Sequence, residues 1–189
     1  MAMNVLHRRI CRSDGWSERM HGSVLPWATN DVDLGGDVLE IGPGYGVTTR
    51  WLAPRAGSLT AVEVDGTMAA DLASEFGDSG VDVRHGDGAE LPFADRSFDA
   101  VVCFTMLHHV PTPELQDRLF TEAARVLRPG GTFAGIDSLV TLRFRVIHIG
   151  DVMTGVDPGG MPGRLRAAGL DAPRTEVGER SFRFRADRG

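Results

Sequence analysis

Asp37-Val38-Leu39-Glu40-Ile41 runs directly into Gly42-Pro43-Gly44-Tyr45-Gly46, and Val47 to Ala53 follows with a helical pattern. A short buried strand, a turn with glycine at alternate positions and a helix start leave few folds open. Glycine lets backbone pass close to a neighbour or a ligand where a β-carbon would block it. A strand feeding a helix this tightly is the first half of a right-handed βαβ unit. The same alternation then repeats down the chain.

Pro54 and Gly57 stop the first helix, and Leu59 to Val64 reads as a second strand. Met68, Leu72 and Phe76 recur at four-residue spacing, so a helix covers them, with Asp65 as its cap and Gly77 at its end. Val81 to His85 is a third strand. Phe98 to Phe104 is a fourth, almost continuously apolar, as a strand covered on both faces should be. Thr112, Pro113 and Glu114 begin a helix whose apolar stripe is Leu115, Leu119, Ala123 and Val126. Arg128-Pro129-Gly130-Gly131 ends it, and Thr132 to Ile136 is a fifth strand. A short helix around Met161 to Ala168, stopped by Gly169, precedes two last strands near Arg174–Gly178 and Ser181–Ala186. In the last of these, arginines alternate with Phe182 and Phe184, as in a strand with one wet face. The expected fold is therefore α/β: a Rossmann-like, doubly wound, mostly parallel seven-stranded sheet with an antiparallel terminal strand. Such sheets bind ligands beyond the carboxyl ends of their strands, where strand order reverses. That places a site just after Ile41, Val64, Phe104 and Ile136.

Composition narrows the chemistry. The chain has 189 residues, a formal net charge of −6, and 20 basic residues that are all arginine. Without lysine there is no Schiff-base or Walker lysine, and an acidic chain is a poor match for a phosphate backbone. Nucleic acid is not an expected partner. The two cysteines, Cys11 and Cys103, offer neither a disulfide framework nor a zinc site, and no apolar run reaches the ~20 residues of a membrane span. Met1 to Asp14 carries charges and lacks a signal peptide's apolar stretch. A reducing, cytoplasmic setting is the expectation.

The dinucleotide fingerprint Gly-x-Gly-x-x-Gly is not met, because the third glycine comes one residue early and Val47 stands in its place. Glu40 also puts an anion beside the turn, which disfavours pyrophosphate. Glu63 lies about 20 residues after Gly42, at the end of the second strand, where a carboxylate can accept both hydroxyls of a ribose. A solvated strand end is the competing reading. Asp87, in Gly86-Asp87-Gly88-Ala89-Glu90-Leu91-Pro92-Phe93, could take an adenine amino group while the Gly88 N–H meets a ring nitrogen; an ordinary Gly-Asp-Gly turn is the alternative.

Together these segments resemble the class I S-adenosylmethionine-dependent methyltransferases, particularly the small type-11 group that includes quinone-methylating enzymes. Val38 to Gly46 looks like the family's first motif, Glu63 its ribose-binding acid, and Gly86 to Phe93 its adenine segment. Ser97-Phe98-Asp99-Ala100-Val101-Val102, Leu107-His108-His109-Val110 and Arg125-Val126-Leu127-Arg128-Pro129-Gly130-Gly131 match the fourth strand, its exit and the approach to the fifth. The resemblance covers about residues 36 to 137. It implies S-adenosylmethionine as cofactor, held by Glu40, Gly42, Pro43, Gly44, Tyr45, Gly46, Glu63, Val64, Asp87, Gly88, Phe104 and Thr105. That cofactor has no phosphate and carries two cationic groups, which suits an acidic turn.

The resemblance further implies methyl transfer to a small organic acceptor through an O, N or C nucleophile. Phe104-Thr105-Met106-Leu107 stands where amino-methylating enzymes carry Asn-Pro-Pro-Tyr, and no acid follows the fourth strand as magnesium-dependent catechol methyltransferases require. No metal is expected. His108, His109, Asp137 and His148 are candidate bases, against a purely structural reading of the histidine pair. Residues 1–35 are expected to form a helical extension, and 36–189 the cofactor domain. Ser138 to Pro158, with His148 and Asp151, should build the acceptor site and with the N-terminal helices cover the methyl group. A non-catalytic S-adenosylmethionine-binding protein and an NAD-dependent oxidoreductase are the alternatives.

Overall fold

The computed structural model describes residues 4–189; Met1 to Met3 of the expected extension lie outside the described residues. Seven strands form one sheet in the order β3-β2-β1-β4-β5-β7-β6. They are β1 Asp37–Ile41, β2 Ser58–Glu63, β3 Asp82–His85, β4 Phe98–Phe104, β5 Leu127–Ser138, β6 Asp171–Val177 and β7 Ser181–Asp187. The first five pair in parallel, and β7 runs antiparallel between β5 and β6. The Rossmann-like expectation is met, with the antiparallel strand last in the chain and inside the sheet.

Alternate side chains of one strand feed two different cores, as the strand period of two requires. On β4, Val101 and Cys103 join Leu119 and Phe120 of α6 (Pro113–Val126) and Leu165 of α8 (Met161–Ala167). Ala100, Val102 and Phe104 point the other way, to Trp51 and Leu52 of α4 (Val47–Leu52). Phe182, Phe184 and Ala186 of β7 are buried and belong to the first core. Arg183 and Arg185 on the other face are half-buried, bonded to the carbonyls of Trp27 and Asp31, so that face is partly covered by the N-terminal segment and is not fully wet. The helix over Met68, Leu72 and Phe76 is α5 (Gly66–Phe76), and Asp65 caps it by accepting from the Thr67 and Met68 N–H groups.

Two details depart from the sequence reading. β5 begins at Leu127 instead of Thr132, because Leu127 pairs with Phe98; the register then shifts before Ala100 meets Thr132. The Arg-Pro-Gly-Gly run is thus a strand irregularity as well as a helix stop. The N-terminal segment also departs from a simple appendage. After α1 (Val5–Cys11) come α2 (Asp14–Arg19), a π-helical turn (Met20–Val24) and α3 (Leu25–Ala28). Met20, Leu25 and Ala28 are buried in the same core as Val38 and Val102, so this segment is one of the layers covering the sheet. Among the described residues no helix is long and apolar enough to cross a membrane.

Candidate active site

Strand order reverses between β1 and β4, and a cavity of about 930 Å³ opens there at the carboxyl ends of the strands. That volume is of the size that holds a cofactor-sized ligand. The turn after β1 forms one wall. Gly42, Gly44 and Gly46 all have positive φ (71°, 58° and 73°), the region that side chains avoid. At Gly46 a β-carbon would also come within 2.7 Å of Leu72 Cδ2. Alternate glycines here let the chain turn sharply between β1 and α4, which is what the sequence pattern called for.

The turn spends its donors internally. Gly42 N–H donates to the Val62 carbonyl, Gly46 N–H to the Pro43 carbonyl and Gly44 N–H to Glu63 Oε2 at 3.1 Å. That arrangement is unlike an open anion nest, and it agrees with a ligand that brings no phosphate. Glu63 is 4% exposed, lines the cavity and also accepts from the Asp65 N–H. Asp87 lines the cavity too, while its Oδ1 accepts from the Ala89 N–H at 2.8 Å. Asp87 thus forms an Asx-type turn and also faces the cavity.

Pro43, Tyr45, Val64, Gly88, Phe104 and Thr105 line the same space. Thr105 adopts φ +53°, a strained conformation for a β-branched residue, and its N–H donates to the Ile136 carbonyl at 2.7 Å. Glu40 is placed differently. It is buried behind the turn, accepting from the Thr48 and Thr49 hydroxyls of α4, and burial pushes its carboxyl up to about 7. Its side chain ties the strand to the helix and does not face the cavity; Gly46 likewise sits behind the wall. Sequence reasoning also overlooked a brace on the segment after β3. Glu122 accepts from the Leu91 N–H, and Arg125 donates to the Leu91 and Phe93 carbonyls. The only local signal was an i,i+3 Glu–Arg pair on α6.

The opposite wall gathers four of the chain's six histidines. His108 and His109 lie in a 3₁₀ turn after β4, His148 follows α7 (Leu142–Ile147), and His7 comes from α1. Their rings lie 4.2–5.5 Å apart, centre to centre, in five pairings. Asp137, fully buried at the end of β5, lies 2.5 Å from His108 Nδ1 and accepts from the His108 and Ser138 N–H groups. His7 Nδ1 lies 2.8 Å from Asp151 Oδ2. Asn4 donates to Asp151 and to the carbonyls of Ile147 and Ile149, so α1 is fastened to the segment after α7. Burial, helped by its imidazole neighbours, holds His109 down to about 2, and burial also lowers His148. Both rings are therefore neutral at ordinary pH. The structure thus brings together all four candidate bases, and adds His7 and Asp151 to them.

Comparisons with known proteins agree with this geometry. Residues 39–135 match the methyltransferase domain family. A probable S-adenosylmethionine-dependent methyltransferase of Mycolicibacterium smegmatis is 38% identical over 99 residues, 52% of this chain and 37% of that protein. A fatty-acid O-methyltransferase of the same organism is 35% identical over 113 residues, 59% of this chain and 40% of that protein. The aligned region thus spans about two-fifths of the length of these curated relatives. A solved protein structure from Pyrococcus horikoshii OT3 superposes with a TM-score of 0.75 at 19% identity, covering 95% of this chain and 94% of its own, which speaks to the fold alone. The glycine turn, Glu63, the Asp87 segment and β4 all fall within the matched residues, and the chain belongs to the S-adenosylmethionine-dependent methyltransferase-domain family.

Proposed function

We propose that this protein transfers a methyl group from S-adenosylmethionine to a nucleophilic atom of a small organic acceptor. One observation carries the reading: a single cavity is lined both by the glycine turn with Glu63 and Asp87 and by His108, whose Nδ1 the buried Asp137 holds from behind. Two carboxylates and an inward-bonded turn fit a cationic, phosphate-free nucleoside ligand. Glu63 would accept from the ribose hydroxyls, Asp87 and the Gly88 N–H would meet the adenine edge, and Pro43, Tyr45, Val64, Phe104 and Thr105 would close around it. When bound, the cofactor supplies an electrophilic methyl, so the protein mainly positions and desolvates the two reactants.

His108 would take the acceptor's proton. Asp137 fixes its tautomer by holding Nδ1, which leaves Nε2 as the basic nitrogen. Asp137 is a positioning residue in this scheme. α1 and the segment 138–158, joined through His7 and Asp151, would cover the acceptor and keep water out. Ile10, Trp16, Met20, Leu139, Phe144 and Ile147 also line the cavity, which favours an apolar acceptor. The fatty-acid O-methyltransferase among the relatives supports a carboxyl or hydroxyl oxygen as the nucleophile.

The test is calorimetry with S-adenosylmethionine, S-adenosylhomocysteine and NADH, followed by methyl transfer to a panel of long-chain acids, phenols and hydroxyquinones. Cofactor binding with turnover of an apolar acceptor is expected. NADH binding without S-adenosylmethionine binding would overturn the reading, and cofactor binding without any turnover would favour a non-catalytic binding protein.

A further inference from the structure

Three of the clustered imidazoles are arranged as a metal-ligand set. One ring nitrogen from each of His7, His109 and His148 lies within 4.8 Å of the other two, and all three residues are buried. In each ring Nδ1 faces an oxygen that can only accept: Asp151 Oδ2 for His7, the Val152 carbonyl at 3.4 Å for His109, and the Phe144 carbonyl at 2.8 Å for His148. Nδ1 therefore carries the proton, and Nε2 of each neutral ring keeps its lone pair. This is how outer-shell acceptors orient histidines toward a metal.

A second observation points the same way. His148 is 6% exposed, and its Nε2 has no hydrogen-bond partner among the described residues. A buried ring nitrogen left unpaired is costly unless something occupies the space before it. The local charge also asks for a cation. Asp137 and the Asp151 side chain are almost fully buried, and among the described residues each is paired with an imidazole and backbone N–H groups. A divalent ion on His7 would meet the Asp151 carboxyl group through that ring, with Asp137 one imidazole further away behind His108.

We infer that His7, His109 and His148 form a three-histidine site for a borderline divalent transition metal such as zinc or cobalt, with an open coordination position on the cavity. The ligand set is nitrogen only, which suits these ions and not magnesium or calcium. All three histidines line the cavity that holds the proposed cofactor site. The open position would take the acceptor's oxygen or thiol, so its proton would be lost more easily beside His108. That role rests on the methyl-transfer reading, whereas the binding of the metal does not. The metal-free expectation was drawn from the missing acids after β4; those acids mark a magnesium site and say nothing of histidines that converge from elsewhere.

The test is a titration of chelator-stripped protein with Co²⁺, read by visible absorption, and with Zn²⁺, read by calorimetry. One ion per chain with a tetrahedral cobalt spectrum is expected. His148→Ala and His109→Gln should weaken Co²⁺ binding by more than ~100-fold, and Asp151→Asn by the ~10–100-fold typical of an outer-shell loss. His85→Ala, outside the cluster, should bind as the unaltered protein does. Calorimetry with S-adenosylhomocysteine on each variant reports folding and the cofactor site separately. Failure of the unaltered protein to bind either ion, or equal binding by folded His148→Ala and His109→Gln, overturns the metal site and leaves the cofactor reading standing.

Discussion

On the side of β1, β2 and β3 the cavity wall is a run of strand ends that follow one another within about 50 residues of chain. On the side of β4 and β5 the wall is a set of imidazoles drawn from α1, the turn after β4 and the segment after α7, and Asp151 joins a histidine 144 residues away. The first wall is largely backbone geometry, with glycines at positive φ and carboxylates standing where consecutive strands stop. The second is side-chain geometry and exists only when distant segments meet. A wall of the first kind can be shared by many relatives that use one cofactor. One of the second kind can be rebuilt for each acceptor while the sheet stays as it is.

The contrast predicts that damage to the two walls has separable effects. The largest should come from Asp137→Asn, which removes the charge and replaces one of the two acceptor oxygens by an NH2 donor, so that His108 is no longer held in one tautomer. Turnover should fall by at least ~100-fold, the usual worth of a positioned base. The affinity for S-adenosylhomocysteine should stay within a few-fold. Recovery of rate at high pH, where the acceptor ionises by itself, distinguishes this from a structural loss; a drop in cofactor affinity equal to the drop in rate would merge the two walls.

Next is Leu25→Ala. Leu25 is fully buried beneath the sheet, and truncating such a side chain costs ~2–5 kcal/mol. Chemical denaturation should show that loss in one cooperative transition. A separate early transition would mean that residues 4–28 fold apart from the sheet. Deleting residues 1 to 25 is therefore a poor probe of the cover over the acceptor, because it also removes Met20 and Leu25 from the core.

Glu63→Gln should weaken cofactor binding by ~10–100-fold, the worth of charged hydrogen bonds to two hydroxyls, with turnover at saturating cofactor much less affected. A rate loss that saturation cannot restore would place Glu63 in the chemistry instead.

The smallest effect concerns Glu40. Its folded carboxyl holds a proton up to about 7, whereas an unfolded one releases it near 4.5. The folded state thus binds more protons between those values, and stability falls as pH rises through that window. Glu40→Gln should flatten that slope, measured by denaturation at pH 5 and pH 8. An unchanged slope would mean that the Thr48 and Thr49 hydroxyls compensate for burial.

The sheet could be read from the sequence because β1, β4 and the inner parts of β2 and β5 are short apolar runs set between helical stretches, and β7 alternates phenylalanine with arginine. The wall built on the glycine turn could be read because its residues follow the strand ends at fixed intervals. Glu40 was placed in that wall by its position in the motif; its side chain turns to α4 because β1 alternates faces and Thr48 and Thr49 offer hydroxyls on the far side. The burial of Met20, Leu25 and Ala28 was hidden by the π-helical turn, which interrupts the 3.6-residue period on which a stripe is recognised. His7 carries no local signal at all, since its partners lie more than a hundred residues away. His108, His109, Asp137 and His148 were legible one by one as titratable side chains, but their meeting in one cluster was not.

The seam between the chain's two ends has a consequence for how the molecule is made. Arg183 donates to the Trp27 carbonyl, Arg185 to that of Asp31, and the Trp27 indole N–H to Glu176. A ribosome delivers residues 25–31 well before any of those partners exists. The early helices bury Met20, Leu25 and Ala28 against side chains of β1, β2, β4 and β5, whereas this polar seam closes only when the hairpin of β6 and β7 arrives. A chain stalled before β6 would leave the Trp27 and Asp31 carbonyls without their arginine donors, so the loop after α3 would be the segment open to proteases even with the five parallel strands complete.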